Sequence, residues 1–135
     1  MEVLGMHHVA FAHRDPEVLG ALGELFGLEA GEAEDGPGFA ERMFPVGDCY
    51  LQTLEATGAG VVERFLERRG PALHHVAFEV ADVAAAVEEL LAKGTRMVDE
   101  RPRPGGGGTL IAFVHPSACG GLLVELVQEP TEATR

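Results

Sequence analysis

The sequence predicts an α+β fold built from two tandem β-α-β-β-β modules in a single domain over residues 1–135. The pentapeptide HHVAF occurs at residues 7–11 and again at 74–78, and the strand and helix patterns after the first copy recur after the second. With 135 residues the chain has the size of one ordinary domain with a hydrophobic core. We expect a first module over about 1–57, a linking helix over about 60–70 and a second module over about 71–130.

Each element of the first module has its own signal in the sequence. Residues 3–12 alternate as a strand does, and Asp15 with Pro16 then supplies an N-cap followed by proline at the first helical position. Apolar residues recur at helical spacing up to Gly27, which stands where a C-terminal cap is expected. The sequence then predicts three extended segments, at 28–34, 38–46 and 48–55, the last two joined by a short Gly-Asp turn.

The second module repeats this order. A short charged helix over 61–69 links the modules, and Asp82 is predicted to cap a helix that ends at Gly94. The four glycines at 105–108 lack the G-K-[ST] ending of a phosphate-binding loop, so we interpret them as a lid or a hairpin loop. The remaining predicted extended segments are 95–99, 109–115 and 122–127.

Composition restricts the partners and the compartment. The net charge of -12 disfavours nucleic acid, because binding a phosphate backbone needs a basic surface. No apolar run approaches the roughly twenty residues that cross a bilayer, and the sequence shows no secretory leader, so we expect a cytoplasmic protein without a membrane role. Cys49 and Cys119 lie outside any C-x-x-C spacing, and we interpret them as reduced packing residues.

Side-chain alternation separates the two histidines of each pentapeptide. His8 shares a strand face with the small residues Ala10 and Ala12, and His75 lies on the equivalent face of the second copy. The bulky opposite face suits packing under a helix, whereas the small-residue face leaves room for a ligand. We therefore predict that His8 and His75 face a cleft, and that the preceding histidine of each pair faces the other way.

The last strands of the two modules each carry a polar residue among apolar ones. Aligning these strands places Gln52 opposite Glu125, and an unpaired polar group in such a strand is costly. A buried hydrogen bond would explain either residue alone, whereas one shared metal ion explains all the polar positions together. Nitrogen and oxygen donors without thiolate suit an open site for divalent Co, Mn, Ni, Fe, Mg or Zn. The predicted metal ligands are His8, Gln52, His75 and Glu125.

At these residues the chain resembles the vicinal oxygen chelate superfamily, which includes glyoxalase I, extradiol dioxygenases, fosfomycin-resistance proteins and methylmalonyl-CoA epimerases. The resemblance is greatest to the epimerases, and it is carried by LHHVAFEVADVAAAVEELLAKG at 73–94 and IAFVHPSACGGLLVELVQ at 111–128. It implies a vicinal-oxygen-chelate domain with a cup-shaped metal cleft and the same four ligands. It also implies a divalent cofactor, with Co2+ expected first and Mn2+, Ni2+, Mg2+ or Zn2+ as alternatives.

The activity implied by this resemblance is interconversion of (2R)- and (2S)-methylmalonyl-CoA through α-proton removal and a metal-stabilised enolate. Inversion needs one base on each face of the planar carbon. By resemblance the bases are Glu125 and, within the segment GFAERMF, Glu41. The resemblance further implies methylmalonyl-CoA as the ligand and a homodimer. The candidates for contacts to the CoA phosphates are Arg42, Arg64, Arg68, Arg101 and Arg103.

Three other functions stay open at this stage. A glyoxalase I-like isomerase also passes through an enolate at a metal. An Fe(II) dioxygenase uses two histidines and a carboxylate, although Gln52 would fill a position that oxygen chemistry leaves open. A metal-free, drug-sequestering protein uses the same fold but has no need of four convergent donors.

Overall fold

The computed structural model describes residues 1–131, which contain eight strands and three α-helices. The strands form one mixed sheet in the order β2-β3-β4-β1-β5-β8-β7-β6, which confirms the predicted α+β class. The helices are α1 (Glu17–Phe26), α2 (Val61–Arg69) and α3 (Val83–Ala92). The strands are β1 (Val3–His13), β2 (Glu34–Gly36), β3 (Phe39–Val46), β4 (Cys49–Ala56), β5 (Ala72–Val80), β6 (Arg103–Pro104), β7 (Leu110–Val114) and β8 (Val124–Gln128).

The chain divides into two compact units. We call residues 8–74 the first unit, and residues 1–7 with the chain from His75 onward the second unit. In the first unit β1 pairs in parallel with β4, and β4, β3 and β2 follow as antiparallel neighbours. In the second unit β5 pairs in parallel with β8, and β8, β7 and β6 are antiparallel neighbours. The shared connectivity agrees with the duplicated modules, while the single domain stays a prediction.

Helix α2 provides much of the core of the first unit. The buried residues Val62, Phe65 and Leu66 of α2 form one apolar cluster with Ala10, Ala12 and Leu54 of the sheet. Burial of each large side chain in such a cluster contributes roughly 1.5–3 kcal/mol. The small-residue face of β1 is therefore filled at Ala10 and Ala12, so the expectation that this whole face stays open is wrong there.

Helix α1 is held far less firmly. None of its residues is buried, and the side chains of Leu25 and Phe26 are 71% and 69% exposed. The helix begins one residue later than expected, with Pro16 at the N-cap, although Asp15 Oδ1 still accepts from the backbone N–H of Glu17 at 2.9 Å. The predicted C-terminal cap is confirmed, because Gly27 adopts the left-handed conformation at φ 70°.

Helix α3 packs on the sheet of the second unit and is fastened at its start. Asp82 Oδ1 accepts from the backbone N–H of Ala85 at 3.0 Å, which confirms the predicted N-cap. The backbone N–H of Val83 donates to Gln128 Oε1 of β8 at 2.9 Å. The apolar cluster beneath α3 confirms that the bulky face of β5 lies under this helix, and its members include Val83, Ala86, Val87, Val114, Val124 and Leu126, with Val76 and Phe78 packed against them.

The predicted strand at 28–34 is wrong, because β2 begins only at Glu34. Before it, the backbone N–H of Gly31 donates to the carbonyl of Met43 at 2.8 Å, and the Arg42 guanidinium donates to the carbonyl of Gly31 at 3.0 Å. The Arg42 side chain thus donates to a backbone carbonyl that would bond to a neighbouring strand in a regular sheet. The acidic segment before β2 also offers no apolar face to bury.

The predicted strand at 95–99 is also wrong, because only Met97 makes an isolated bridge, to Val114. The cause lies at Asp99. Its Oδ2 accepts the backbone N–H of Phe113 at 2.8 Å, and the carbonyl of Phe113 accepts the backbone N–H groups of Val98 and Asp99 at 3.0 and 3.1 Å. A side chain therefore occupies the edge of β7 where a continuous ladder would have formed.

The remaining local predictions are mixed in outcome. Residues Gly106–Gly108 form a 3₁₀ turn between the antiparallel strands β6 and β7, as expected for a hairpin loop, and Gly107 sits at φ 66°.

Both cysteines are free, but Cys119 is exposed and Cys49 only half-buried, so neither is the packing residue that was expected. Within residues 1–131 the three helices are all too short to cross a bilayer.

Candidate metal centre

Strand register brings two of the predicted ligands onto one face of the first unit. Ala10 of β1 pairs with Gln52 of β4, and His8 lies two residues before Ala10. Because paired residues project to the same side of a sheet and residues two apart share a face, His8 and Gln52 point to the same side. Both side chains are buried, at 2% and 5% exposure.

The second unit repeats this arrangement. Ala77 of β5 pairs with Glu125 of β8, and His75 lies two residues before Ala77. Gln52 and Glu125 therefore occupy equivalent positions relative to their histidines, as the sequence alignment predicted. His75 Nε2 and Glu125 Oε1 are 4.0 Å apart, and both residues are buried. This separation is too long for a hydrogen bond.

Gln52 forms a hydrogen bond with Glu41, the predicted base of the first unit. Its Nε2 donates to Glu41 Oε2 at 3.0 Å. Register explains the meeting, because β3 runs antiparallel to β4 and pairs Met43 with Gln52 and Glu41 with Leu54, which puts Glu41 on the face of Gln52. The amide oxygen of Gln52 is buried and has no hydrogen-bond partner within residues 1–131. Leaving such an acceptor unsatisfied costs about 1–3 kcal/mol.

Three residues form a group of metal-type donors. One ligand atom each from His8, His75 and Glu125 lies within 4.8 Å of the other two, and all three side chains are buried. Two donors bound to one ion at about 2.1 Å lie roughly 3–4 Å apart, and the limit of 4.8 Å brings the three ligand atoms near that range. Buried acidic groups are rare unless they are paired or bind a metal.

The donor set fits a divalent ion. Two imidazoles and a carboxylate are supplemented by the orphaned amide oxygen of Gln52, an acceptor that a cation would satisfy. Nitrogen and oxygen donors without thiolate favour a hard or borderline ion. A single carboxylate, that of Glu125, would leave a divalent ion with a net charge of about +1.

The first histidine of each pentapeptide makes other contacts. His7 Nε2 meets the carboxylate of Glu129. The His74 ring stands edge-on against Phe65 of α2, with centroids 4.7 Å apart and an interplanar angle of 67°. Burial, and to a lesser degree the nearby Arg68 guanidinium, lowers the pKa of His74 below its usual range. The positions of His7 in β1 and His74 in β5, each one residue before a predicted ligand, put them on the strand faces opposite His8 and His75.

Phe113 lies beside the donors, although no pattern in the sequence indicated this. Phe113 pairs with Glu125 across β7 and β8, so the two side chains share a face. Its ring meets the His75 ring edge-on, at a centroid distance of 5.2 Å and an angle of 88°. An aromatic ring here restricts the rotation of the His75 imidazole. Only the pairing of Phe113 with Glu125 reveals this placement, because in the sequence Phe113 looks like an ordinary core residue.

Comparisons with known proteins agree with this geometry. Residues 7–113 match the family described as the glyoxalase/bleomycin resistance protein/dioxygenase superfamily. The mitochondrial methylmalonyl-CoA epimerase of Bos taurus is 34% identical over 128 residues, covering 91% of this chain and 73% of the relative. An ethylmalonyl-CoA/methylmalonyl-CoA epimerase of Cereibacter sphaeroides is 33% identical over 130 residues, covering 91% of this chain and 96% of the relative.

A solved structure extends the similarity to the whole fold. A methylmalonyl-CoA epimerase in complex with methylmalonyl-CoA and NH4+ superposes with a TM-score of 0.89 at 31% identity, over 96% of this chain and 97% of that chain. The match over residues 7–113 and the identity to relatives along most of their length establish the relationship. The chain therefore belongs to the glyoxalase/bleomycin resistance protein/dioxygenase superfamily and, within it, to the methylmalonyl-CoA epimerase family.

Proposed function

We propose that this chain interconverts (2R)- and (2S)-methylmalonyl-CoA by removing the α-proton and returning a proton to the opposite side of the carbon. The observation that carries the proposal is the donation from Gln52 Nε2 to Glu41 Oε2 at 3.0 Å, which leaves the buried Gln52 Oε1 without a partner. One residue thus links a carboxylate suited to act as a base with an oxygen suited to bind a cation. The family of the chain supports the reaction and the acyl-CoA class of substrate.

We propose that four residues hold one divalent ion, namely His8, Gln52, His75 and Glu125. The support is the burial of all four side chains and the close group formed by His8, His75 and Glu125. When bound, such an ion would act as a Lewis acid that stabilises negative charge developing on the substrate carbonyl oxygen. Among the divalent ions that accept these donors we propose Co2+, with Mn2+, Ni2+, Mg2+ and Zn2+ as alternatives.

The proton chemistry falls to two carboxylates. In one direction a carboxylate oxygen takes the α-proton, the C–H electron pair forms a C=C bond to the carbonyl carbon, and the carbonyl π pair moves onto the oxygen; these pairs return when the carbon is reprotonated. The second carboxylic acid then donates its proton to the other face of the planar carbon, which inverts the centre. We propose Glu125 and Glu41 as these two groups, because each lies on the same face of its sheet as a predicted ligand.

Gln52 has a second role in this scheme. The hydrogen bond from its Nε2 holds Glu41 Oε2 in place and so fixes the direction of the carboxylate. A base that is already oriented loses less entropy when it meets the substrate. Glu41 is thus positioned by the same side chain whose oxygen is proposed as a metal ligand.

The test is incubation of the metal-loaded protein with each epimer in D2O, with deuterium at the α-carbon followed by NMR or mass spectrometry. We expect deuterium to enter from both epimers and a chelator to stop it. A matched reaction with propionyl-CoA, which lacks the second carboxyl group, should show much slower exchange. Absence of exchange from both methylmalonyl-CoA epimers in protein of full metal content would refute the proposed reaction.

We also propose that the protein acts as a homodimer in the cytoplasm. The support for a dimer is the resemblance to the family, and the support for the compartment is the similarity to the epimerase of the bacterium Cereibacter sphaeroides. Light scattering at several protein concentrations tests the first point, since a constant mass near that of one chain would contradict it. Cell fractionation with a tagged chain tests the second.

A further inference from the structure

Phe113 connects the proposed metal centre to a charged residue at the sheet edge. Its ring lies edge-on to His75, and the guanidinium carbon of Arg103 lies over the Phe113 ring, 5.5 Å from the ring centroid. Arg103 of β6 pairs with Ile111 of β7, two residues before Phe113, so Arg103 and Phe113 share one face. That face also carries Glu125, the register partner of Phe113.

Asp99 holds this arginine in place. Its Oδ1 accepts from Arg103 Nε at 3.0 Å, while its Oδ2 accepts from the backbone N–H of Phe113 at 2.8 Å. One half-buried carboxylate thus ties the arginine to the strand that carries the aromatic ring. With the aromatic face on one side and the Asp99 carboxylate at Nε, the guanidinium plane is oriented before any ligand arrives.

The outer part of the guanidinium remains for a ligand. Among the bonds found in residues 1–131, Arg103 uses only Nε, and its side chain is 51% exposed. The fork of Nη1 and Nη2 matches a pair of carboxylate or phosphate oxygens. The chain has 22 acidic against 10 basic residues, so an anionic substrate needs a local cation to offset long-range repulsion.

Two other candidate arginines lack this placement. Arg42 follows Glu41 on β3 and so points to the opposite face, where its guanidinium donates to the carbonyl of Gly31. Arg68 lies on α2 and donates from Nε to the carbonyl of Arg64 at 3.4 Å. Arg103 is distinguished by its contact with a ring that itself touches a proposed ligand.

We propose that Arg103 is a substrate-binding residue whose Nη1 and Nη2 bind two oxygens of an anionic group of the acyl-CoA. This assignment rests on the proposed function for the identity of the ligand. Two groups share the required chemistry: the free carboxylate of the methylmalonyl moiety and a phosphate of CoA. A charged hydrogen-bonded pair of this kind strengthens binding by about 10- to 100-fold.

The experiment compares Arg103→Gln and Arg103→Lys with the natural chain. The control is Arg96→Gln, since Arg96 is exposed and its side chain makes no hydrogen bond or ion pair within the described part of the chain. Calorimetry measures the affinity for methylmalonyl-CoA and for methylmalonyl-pantetheine, which lacks the nucleotide phosphates. Deuterium exchange in parallel gives kcat and KM, and thermal unfolding verifies that each variant is folded.

We expect Arg103→Gln to weaken methylmalonyl-CoA binding by about 10- to 100-fold and to raise KM while kcat changes little. Arg103→Lys should recover part of the loss, because it keeps the charge without the fork. A loss seen with both thioesters identifies the carboxylate, and a loss confined to the CoA form identifies a phosphate.

Unchanged affinity for both thioesters in a folded Arg103→Gln variant would overturn the assignment, and so would an equal loss in Arg96→Gln. Failure of the proposed reaction has a different signature. A natural chain that binds methylmalonyl-CoA without any exchange disproves the reaction, while the variants still decide the role of Arg103 by binding. A natural chain that binds neither thioester overturns both.

Discussion

The amide of Gln52 faces two ways: its nitrogen donates to Glu41 Oε2 at 3.0 Å, and its buried oxygen meets no donor within residues 1–131. The first contact fixes the second, because an amide that presents its N–H to a carboxylate must turn its oxygen away. The orientation of this one side chain therefore links the proposed base to the proposed metal ligand. Burial of this oxygen without a partner costs free energy while no metal is bound, and a bound cation would remove that cost.

Glu41→Gln should slow α-proton exchange by about 100-fold or more, because a general base contributes about 10²–10⁴ to rate. The amide remains able to bond to Gln52, so metal content should stay at the natural level. Exchange from each epimer in D2O and metal analysis of the same preparation provide the two readouts. Glu34→Gln is the matched control, since Glu34 is the register partner of Glu41 on the exposed strand β2. Equal exchange rates in the natural chain and Glu41→Gln would dismiss Glu41 as a base.

His8→Ala and His75→Ala should each weaken metal binding by at least about 100-fold. Substitution of a residue that only hydrogen-bonds to a metal ligand already lowers metal affinity by about 10- to 100-fold. Both variants should keep the fold, because the histidines lie at strand positions whose neighbours stay paired. The measurement is the metal-to-protein ratio after dialysis, with circular dichroism as the check on folding. His74→Ala is the control: it removes an aromatic contact to Phe65 and should retain metal. Full occupancy in either His8→Ala or His75→Ala would remove that residue from the ligand set.

His13→Val should stabilise the protein by about 1 kcal/mol, because both ring nitrogens of the fully buried His13 have no hydrogen-bond partner in the described chain. Val80 occupies the equivalent position after the second pentapeptide and is itself 3% exposed, so the second unit buries a valine at this point of the strand. The urea midpoint should rise with an unchanged m-value. The reverse change, Val80→His, should destabilise. A lower midpoint for His13→Val would mean that His13 contributes more through its stacking on Phe11 than its unpaired nitrogens cost.

Amide hydrogen exchange should be faster in α1 than in α3. Helix α3 buries Val83, Ala86 and Val87, whereas α1 buries none of its residues. Helix stability in proteins comes mainly from such packing, so α1 should open locally at a lower free energy. Mass spectrometry of peptides covering the two helices measures the difference. Equal protection of α1 and α3 at low protein concentration would contradict this expectation.

The repeated pentapeptide was sufficient to predict the duplicated modules, because register and alternation follow from a period of two. The same rule placed Gln52 and Glu125 at equivalent positions, which the pairing of Ala10 with Gln52 and of Ala77 with Glu125 confirms. Patterns of this kind are visible in sequence since every strand obeys the same geometry. The predicted roles of these residues go beyond what register decides.

The two wrongly predicted strands share one cause, which is competition from side chains for backbone groups. Residues 95–99 looked extended, yet the Asp99 carboxylate takes the N–H of Phe113 that a neighbouring strand would have used. The same carboxylate then orients Arg103, a relation that depends on the fold of the loop. Pairings between side chains and distant backbone leave no periodic trace in the sequence. The neighbourhood of Phe113 was for that reason the part of the site that sequence patterns missed.

The bond between Val83 and Gln128 has no counterpart in the other half of the duplication. The residue equivalent to Val83 is Pro16, which has no N–H, and the residue equivalent to Gln128 is Glu55, whose Oε1 is buried without a partner in the described chain. A proline at this position thus removes the N–H donor that the bond would need in the first unit. Helix α3 is hydrogen-bonded to the strand that carries Glu125, whereas α1 has no equivalent bond to β4 within the described residues. A substitution at the start of α3 can therefore act on the strand of a proposed metal ligand through this bond, and a substitution at the start of α1 cannot do so in the same way.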